Sequence, residues 1–406
     1  MGRQGAGLAA QGARAPIRLK VYDDLLAAEA VWRYVESSAD CTIYQTYDWT
    51  ASWHRHIGSR NRLKPVVVVV YEGDRVLMLL PLAVQRSGPL RRLTWLGGEF
   101  CDYGAPLLAA DFAHCVTPER FCLIWRQVSQ FLQQDRRFRH DVVELQKMPP
   151  TVGAQQNPLC WLAVQPNPSG AYLTQLSGSW DEFYAKKRSS ATRRRDRTKR
   201  KRLSEHGEIR FVSAEDGDQI ARTLHTLVEQ KTRSFSRMGV RNIFAPPGHQ
   251  DFLLDLSTGP RSRSLVHVSR LEIGGVTAAA NLGLVYRGRY YHLLASHDDG
   301  ETSRFGPGIV HLHGLLQHAI ETGCREFDFT IGDERYKQDW CDTEIKLYDH
   351  IAAASVLGWP AAMAAISLRR AKRFIKQTPL LWNLVTKARG VLGSGSRQKR
   401  ADETAD

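Results

Sequence analysis

Two stretches of the chain repeat one order of apolar and polar positions. In the first, apolar positions at helical spacing over 23–38 and 46–57 are followed by the β-branched run LKPVVVVVY (63–71), the turn EGDR (72–75) and a second apolar run, VLMLLPLAV (76–84). Two long apolar runs around a short polar turn predict a buried β-hairpin. RRLTWLG (91–97) adds a third strand. Phe121, Ile124, Trp125, Val128, Phe131 and Leu132 form one stripe over 119–134, and DVVELQ (141–146) closes with a strand. A stripe at 3.6-residue spacing marks an amphipathic helix.

The second stretch has the same sequence of elements. LVHVSRLEI (265–273), Gly274-Gly275 and VTAAANLGLVY (276–286) predict a hairpin, GRYYHLLAS (288–296) a third strand, 309–322 a helix and REFDFTIG (325–332) the closing strand. The two copies lie about 190 residues apart with little residue identity, so the repeat is one of pattern. A proline-rich linker (149–170) and a strand (171–176) separate them. The pattern then predicts one long basic helix over 179–205, opened by the capping-box pair Ser179 and Glu182. Helices follow near 215–236 and 248–257. A last strand is expected at 344–351, then basic helices near 360–376 and 379–392. The fold class is therefore mixed α/β, with two lobes of twisted, mostly antiparallel sheet flanked by helices. The expected division is a loose tail (1–16), a first lobe (17–165), a second lobe (166–350) and a basic C-terminal region (351–406).

The 406 residues are 43% hydrophobic and 24% charged, which excludes a disordered chain. The net charge of +14 is localised. Residues 186–202 and 369–400 each carry +10, leaving −6 on the rest, so the body is mildly acidic. That pattern fits two local anionic contacts or two solvated helices rather than a general nucleic-acid binder. The seven cysteines are odd in number and form no CxxC, so neither a disulfide framework nor a zinc site is expected. The HxH pairs at 54–56 and 311–313 face different ways on a helix, and no metal is expected. The uncharged run 351–368 is interrupted by Gly358 and Pro360 and reads poorly as a membrane span. A cytoplasmic protein, at most peripheral to an inner membrane through 369–392, is the expectation.

Chemistry concentrates in Ser303–Trp340. Gly306 and Gly308 flank Pro307 directly before a helix starting near Ile309. Side-chain-free amides at a helix N-terminus form a cradle for a diphosphate. After it, Asp328 alternates with Phe327 and Phe329, and Asp333, Glu334, Tyr336, Lys337 and Trp340 crowd one short loop, the pattern of a substrate-facing site.

These residues resemble the CelD-type, or BioF2-like, branch of the GNAT acetyltransferase superfamily. The resemblance rests on YQTYDWTASW (44–53), LMLLPLAVQ (77–85), RRLTWLGG and DYGAPLL (91–108), KRKRL (199–203), the GPG loop and FDFTIGDERYKQDW (327–340). It covers about residues 20–350 and implies paired GNAT-like lobes, as in Fem-type aminoacyl transferases. It departs from the superfamily loop [Q/R]xxGx[G/A] in carrying Ser303 at the first position and Arg304 one place late. The resemblance implies acetyl-CoA or another acyl-CoA as co-substrate, held by Arg304 and the amides of Gly306, Pro307, Gly308 and Ile309. A backbone N–H of 288–296 would polarise the thioester. Asp328 would act as base, Tyr336 as acid, and Lys337 would position the acceptor. Asp333, Glu334, Trp340 and Tyr291 would complete the substrate site, and Asp328 reads equally well as a carboxylate paired with Arg325 or Lys337. The acceptor implied is a saccharide or envelope precursor. The rivals are an aminoacyl-tRNA-dependent transferase, for which helix 186–202 would bind RNA, and a non-catalytic adaptor at the membrane.

Overall fold

The computed structural model describes residues 15–332, 334–378 and 381. The tail before residue 15, the helix expected at 379–392 (apart from Leu381) and Asp333 lie outside the described residues.

In the first lobe, β1 (Ile17–Tyr22) leads into α1 (Leu25–Ser38), capped by the Asp24 carboxylate, and then into α2 (Tyr47–Trp53). The hairpin follows as β2 (Lys64–Glu72) and β3 (Arg75–Ser87), then β4 (Leu90–Trp95), α3 (Pro118–Gln134) and β5 (Val142–Met148). After the linker strand β6 (Val164–Pro166), the second lobe starts with β7 (Ala171–Gln175). The expected long basic helix is two helices, α4 (Trp180–Lys187) and α5 (Ser190–Ser204). Arg188 adopts an extended backbone, and the Ser189 hydroxyl accepts from the Thr192 amide as a second N-cap. A serine competes with the helix for its own backbone, so Ser189-Ser190 inside the charged run restarts the helix. Next come β8 (Ile209–Ser213), α6 (Gly217–Met238) and α7 (His249–Thr258). The second hairpin is β9 (Val266–Ile273) and β10 (Val276–Tyr286), then β11 (Arg289–His297), α8 (Pro307–Glu321) and β12 (Glu326–Ile331). The chain closes with β13 (Thr343–Ile345), β14 (Tyr348–Ala353) and α9 (Gly358–Gln377).

The first sheet runs β1-β2-β3-β4-β5-β14-β6, with Leu107–Leu108 added against β3; the second runs β8-β9-β10-β11-β12-β7-β13. Both are antiparallel except at one equivalent place in each, where β4 meets β5 and β11 meets β12 in parallel. The strand expected to end the second lobe divides. β13 stays in the second sheet, whereas β14 crosses over and pairs with β5 and β6 of the first.

β2 explains how the lobes join. Val66, Val68 and Val70 enter a core shared with Phe121, Ile124 and Val128 of α3, while Val67 and Val69 enter a second core that contains Phe252, Leu282 and Tyr291. Successive strand residues point to opposite faces, so an unbroken valine run is what a strand buried on both sides requires. The second core spans both lobes. At its edge, Arg287 donates to the Ala39 and Glu36 carbonyls (2.5 and 2.6 Å) and the Ser52 hydroxyl to Asp255 (2.7 Å). The C-terminal α9 docks on the first sheet, not the second, through Ala362 beside Val142 and Ile351. Arg369 pairs with both Glu144 (2.8 Å) and Asp349 (3.0 Å).

Candidate acyl-CoA site

Strands β11 and β12 pair in parallel only over Arg289–Tyr291 and Glu326–Asp328, then separate. On its other side, β11 carries one extra residue relative to β10, at His292–Leu293, between the Leu284–Tyr291 and Leu282–Leu294 pairs. A bulge releases strand backbone from its ladder and re-aims it. Between the diverging strands and the start of α8 lies a cavity of about 360 Å³, walled by His292, Ser296, Gly308, Ile309, Phe329 and Thr330. Lys231 of α6 completes its rim with Glu334, Tyr336 and Lys337, the last two in a short helical turn, Arg335–Gln338.

Helix α8 begins without a side-chain cap. Gly306 occupies the N-cap with φ +69°, a left-handed conformation that glycine adopts freely, and Pro307 sits at the first helical position. The cradle is narrower than the sequence implies. The Gly306 amide donates to the Ser303 carbonyl (3.0 Å), and the Ile309 amide to the Gly306 carbonyl (3.0 Å). Pro307 has no N–H. The Gly308 amide therefore carries the cradle, with no acceptor among the described residues, alongside the positive end of the helix dipole. A Cβ on Gly308 would lie 3.4 Å from the His297 ring, so the space beside it is lined closely but open enough for a ligand.

Residues 190–338 match the acetyltransferase (GNAT) domain family. Over that segment the chain is similar to the family, and the cavity lies within it. No curated protein matches the sequence. Among solved structures, that of FemX is similar at a TM-score of 0.56 and 10% identity, over 86% of this chain and 99% of that one. A conserved protein of unknown function from Bacteroides thetaiotaomicron is similar at 0.52 and 11% identity, over 83% and 99%. At such identities the likeness is one of fold, and the fold is two GNAT-like lobes.

The anticipated residues separate into three groups. Gly306, Pro307, Gly308, Ile309, Glu334, Tyr336 and Lys337 all line the cavity. The Tyr336 hydroxyl titrates far above its ordinary range because it is buried, so it stays protonated. The ammonium of Lys337 is already engaged by Ile331 O (3.0 Å), Thr330 O (3.4 Å) and Glu334 (2.9 Å). Its three donors pin the end of β12 and are not free to position an acceptor.

A second group faces elsewhere. Arg304 is exposed, lies over the Phe305 ring (4.8 Å) and is 3.9 Å from Glu301, while Ser303 takes the place in the cavity wall. Trp340 is fully buried against Phe183, with Arg188 over its ring at 5.1 Å, and is core rather than a substrate contact. Asp339 and Asp342 on either side of it are exposed while the indole packs inward.

The third group lies at the lobe interface. Asp328 is wholly buried and accepts from the Tyr103 hydroxyl of the first lobe (2.8 and 3.0 Å) and the Thr330 amide (2.8 Å). Its cation is Arg289 at 3.5 Å, rather than Arg325 or Lys337. Burial lifts its carboxyl to about 6, against the pull of Arg289 and Tyr103. Tyr103, Arg289 and Tyr291 line a separate interlobe groove of about 900 Å³. Thr330 has φ +57°, a strained conformation for a β-branched residue, at the point where β12 turns its two faces toward cavity and groove.

Several site residues had no sequence signal. Lys231 sits mid-helix in an ordinary amphipathic pattern, and its ammonium is lowered by burial. His292 is a buried histidine within a strand, pushed down to about 3 by burial and so neutral, with Nδ1 unpartnered among the described residues. Tyr103 depends on a contact 225 residues away. Among the described residues no group of three or more His, Cys, Asp or Glu is placed to hold a metal ion, and no helix is long and apolar enough to cross a membrane.

Proposed function

We propose that the protein transfers an acyl group, acetyl in the simplest case, from acyl-CoA to an amine or hydroxyl of a saccharide or envelope precursor, as the CelD-type resemblance suggests. The observation that carries this reading is the separation of β11 from β12 directly over an uncapped, glycine-flanked helix start. The thioester would lie along the His292–Leu293 bulge, where a backbone N–H faces the developing oxyanion. The acceptor's nitrogen or oxygen attacks the carbonyl carbon, the carbon–sulfur bond breaks, and the CoA thiolate leaves. Asp328, with a carboxyl near 6, suits proton removal at neutral pH and reaches the interlobe groove through Tyr103. Tyr336, which lines the cavity and stays protonated, would supply the proton to the departing thiolate.

The test is thermal stabilisation by acetyl-CoA. Millimolar acetyl-CoA raises the melting temperature of the wild type and leaves Gly308→Glu unmoved, since that carboxylate enters the cradle. An unmoved wild type would overturn the reading. A Fem-like transfer from aminoacyl-tRNA is the competing reading, supported by the fold likeness to FemX. Activity with purified acetyl-CoA and no tRNA removes it.

A contact with an anionic membrane is a second element of this reading. Val356, Trp359 and Phe374 are exposed around α9, beside Arg370 and Arg373. Apolar side chains flanked by cations favour such a surface. Flotation with anionic vesicles, weakened in Trp359→Glu, is the expected outcome.

A further inference from the structure

Behind the start of α8, on the side away from the thioester cavity, a second pocket of about 200 Å³ lies between α5 and α8. Gly306 and Ile309 line both cavities, so the two meet over the cradle. A volume this small is below that of a site enclosing a whole drug-sized ligand and suits one end of a longer molecule. Trp180 and Phe305 supply aromatic walls, and Arg197, Lys199 and Arg200 of α5 line the opposite side.

The charge there is unbalanced. Asp196 is the one carboxylate in this helix, and the Tyr184 hydroxyl (2.7 Å), Arg188 (3.9 Å) and His313 (3.9 Å) surround it. Arg197, Lys199 and Arg200 have no carboxylate partner among the described residues, although they line a pocket. Leu203, buried against Ile273 and Val310, fixes the helix in this position beside the Glu301–Phe305 turn. A helix whose cations served only solubility would not need this anchoring at the mouth of a ligand cavity. Unpaired guanidinium groups next to aromatic rings are the recognition chemistry of a phosphorylated nucleoside.

We propose that this pocket seats the 3′-phosphorylated adenosine end of acyl-CoA, with Arg197 and Arg200 reading the 3′-phosphate and the aromatic walls holding the purine. The proposal rests on the acyl-CoA reading above and assigns a ligand to the basic helix, for which the sequence leaves open a solvated connector, an acceptor contact or an RNA contact. The diphosphate then crosses the Gly308 amide, and the pantetheine arm runs on between β11 and β12.

Titration calorimetry with acetyl-CoA and 3′-dephospho-acetyl-CoA tests it. The wild type is expected to bind acetyl-CoA at least about 10-fold more tightly, the scale of charge-assisted hydrogen bonds to one phosphate. The double substitution Arg197→Ala, Arg200→Ala brings that ratio close to one, and adenosine 3′,5′-bisphosphate displaces acetyl-CoA from the wild type. Both arginines are solvent-facing, and the bisphosphate competition needs no variant. Equal wild-type affinities for the two thioesters, or no displacement by the bisphosphate, would overturn this assignment and leave the acyltransferase reading standing. Binding of neither thioester would overturn both.

Discussion

The two lobes build their sheets alike as far as the third hairpin-connected strand and part at the loop that follows. In the second lobe, nine residues separate the end of β11 from the start of α8, and the helix begins on bare glycine backbone at the strand gap. In the first, α3 begins more than twenty residues after β4, and the Thr117 side chain caps the Arg120 amide with Glu119 in the first turn. A capped, acidic helix start repels the anion that an uncapped one attracts. The intervening loop in the first lobe also ties itself to β5, where the Gly104 amide donates to the Lys147 carbonyl (3.0 Å). Both closing strands nonetheless keep one non-glycine residue at positive φ, Lys147 (+54°) and Thr330 (+57°). The same scaffold thus yields a ligand cavity or a structural brace according to one loop and one cap.

Substitutions at matched positions probe that contrast. Gly308→Glu is expected to lower acetyl-CoA affinity by about 100-fold or more, since it sets a charge against a diphosphate in a partly buried cradle. Calorimetry reads the loss. Gly104→Ala carries the next largest effect and strikes the other lobe. Its Cβ would lie 2.3 Å from the Trp95 ring nitrogen and 2.5 Å from the Gln146 carbonyl, so about 3 kcal/mol of stability should go. Gly308→Ala, with 3.4 Å to its nearest neighbour, should change stability by less than about 1 kcal/mol. Urea unfolding separates the pair.

Asp328→Asn follows, through pH. The carboxyl titrates near 6 in the folded chain, above its unfolded value, so the native state holds the proton more tightly. Stability therefore falls as pH rises from about 4 to 6, and the loss is complete above that window. Asparagine should remove this slope, worth about 3 kcal/mol, in melting curves taken across the range. Thr117→Ala is the mildest, costing about 1 kcal/mol and leaving acetyl-CoA affinity unaltered.

Local chemistry explains what the sequence disclosed. The paired apolar runs around Gly73 and Gly274-Gly275, the stripes of α3 and α8, and the Gly-Pro-Gly start are short-range signals, and each stands where the periodicity placed it. β1 and β8 escaped notice because the charged residues of IRLKVY and the brevity of IRFVS hide their alternation. The destination of β14 depends on partners some 200 residues away, which no local pattern encodes. For the same reason the sequence marks Asp328 as a carboxylate of interest but gives no sign that Tyr103 is its partner. Trp340 stands beside charged residues in sequence yet packs into the core, because nearness to charge along the chain is not nearness to solvent.

Strand β12, a wall of the cavity beside α8, is flanked on its far side by β7, which precedes residue 190 and so falls outside the segment matched to the GNAT family. A fragment trimmed to that segment would bare a row of unsatisfied amides and carbonyls along Glu326–Ile331, an adhesive margin inviting intermolecular strand addition. Expression boundaries for isolating the second lobe should begin upstream of Ala171, or the product will precipitate however intact its glycine-flanked helix start remains.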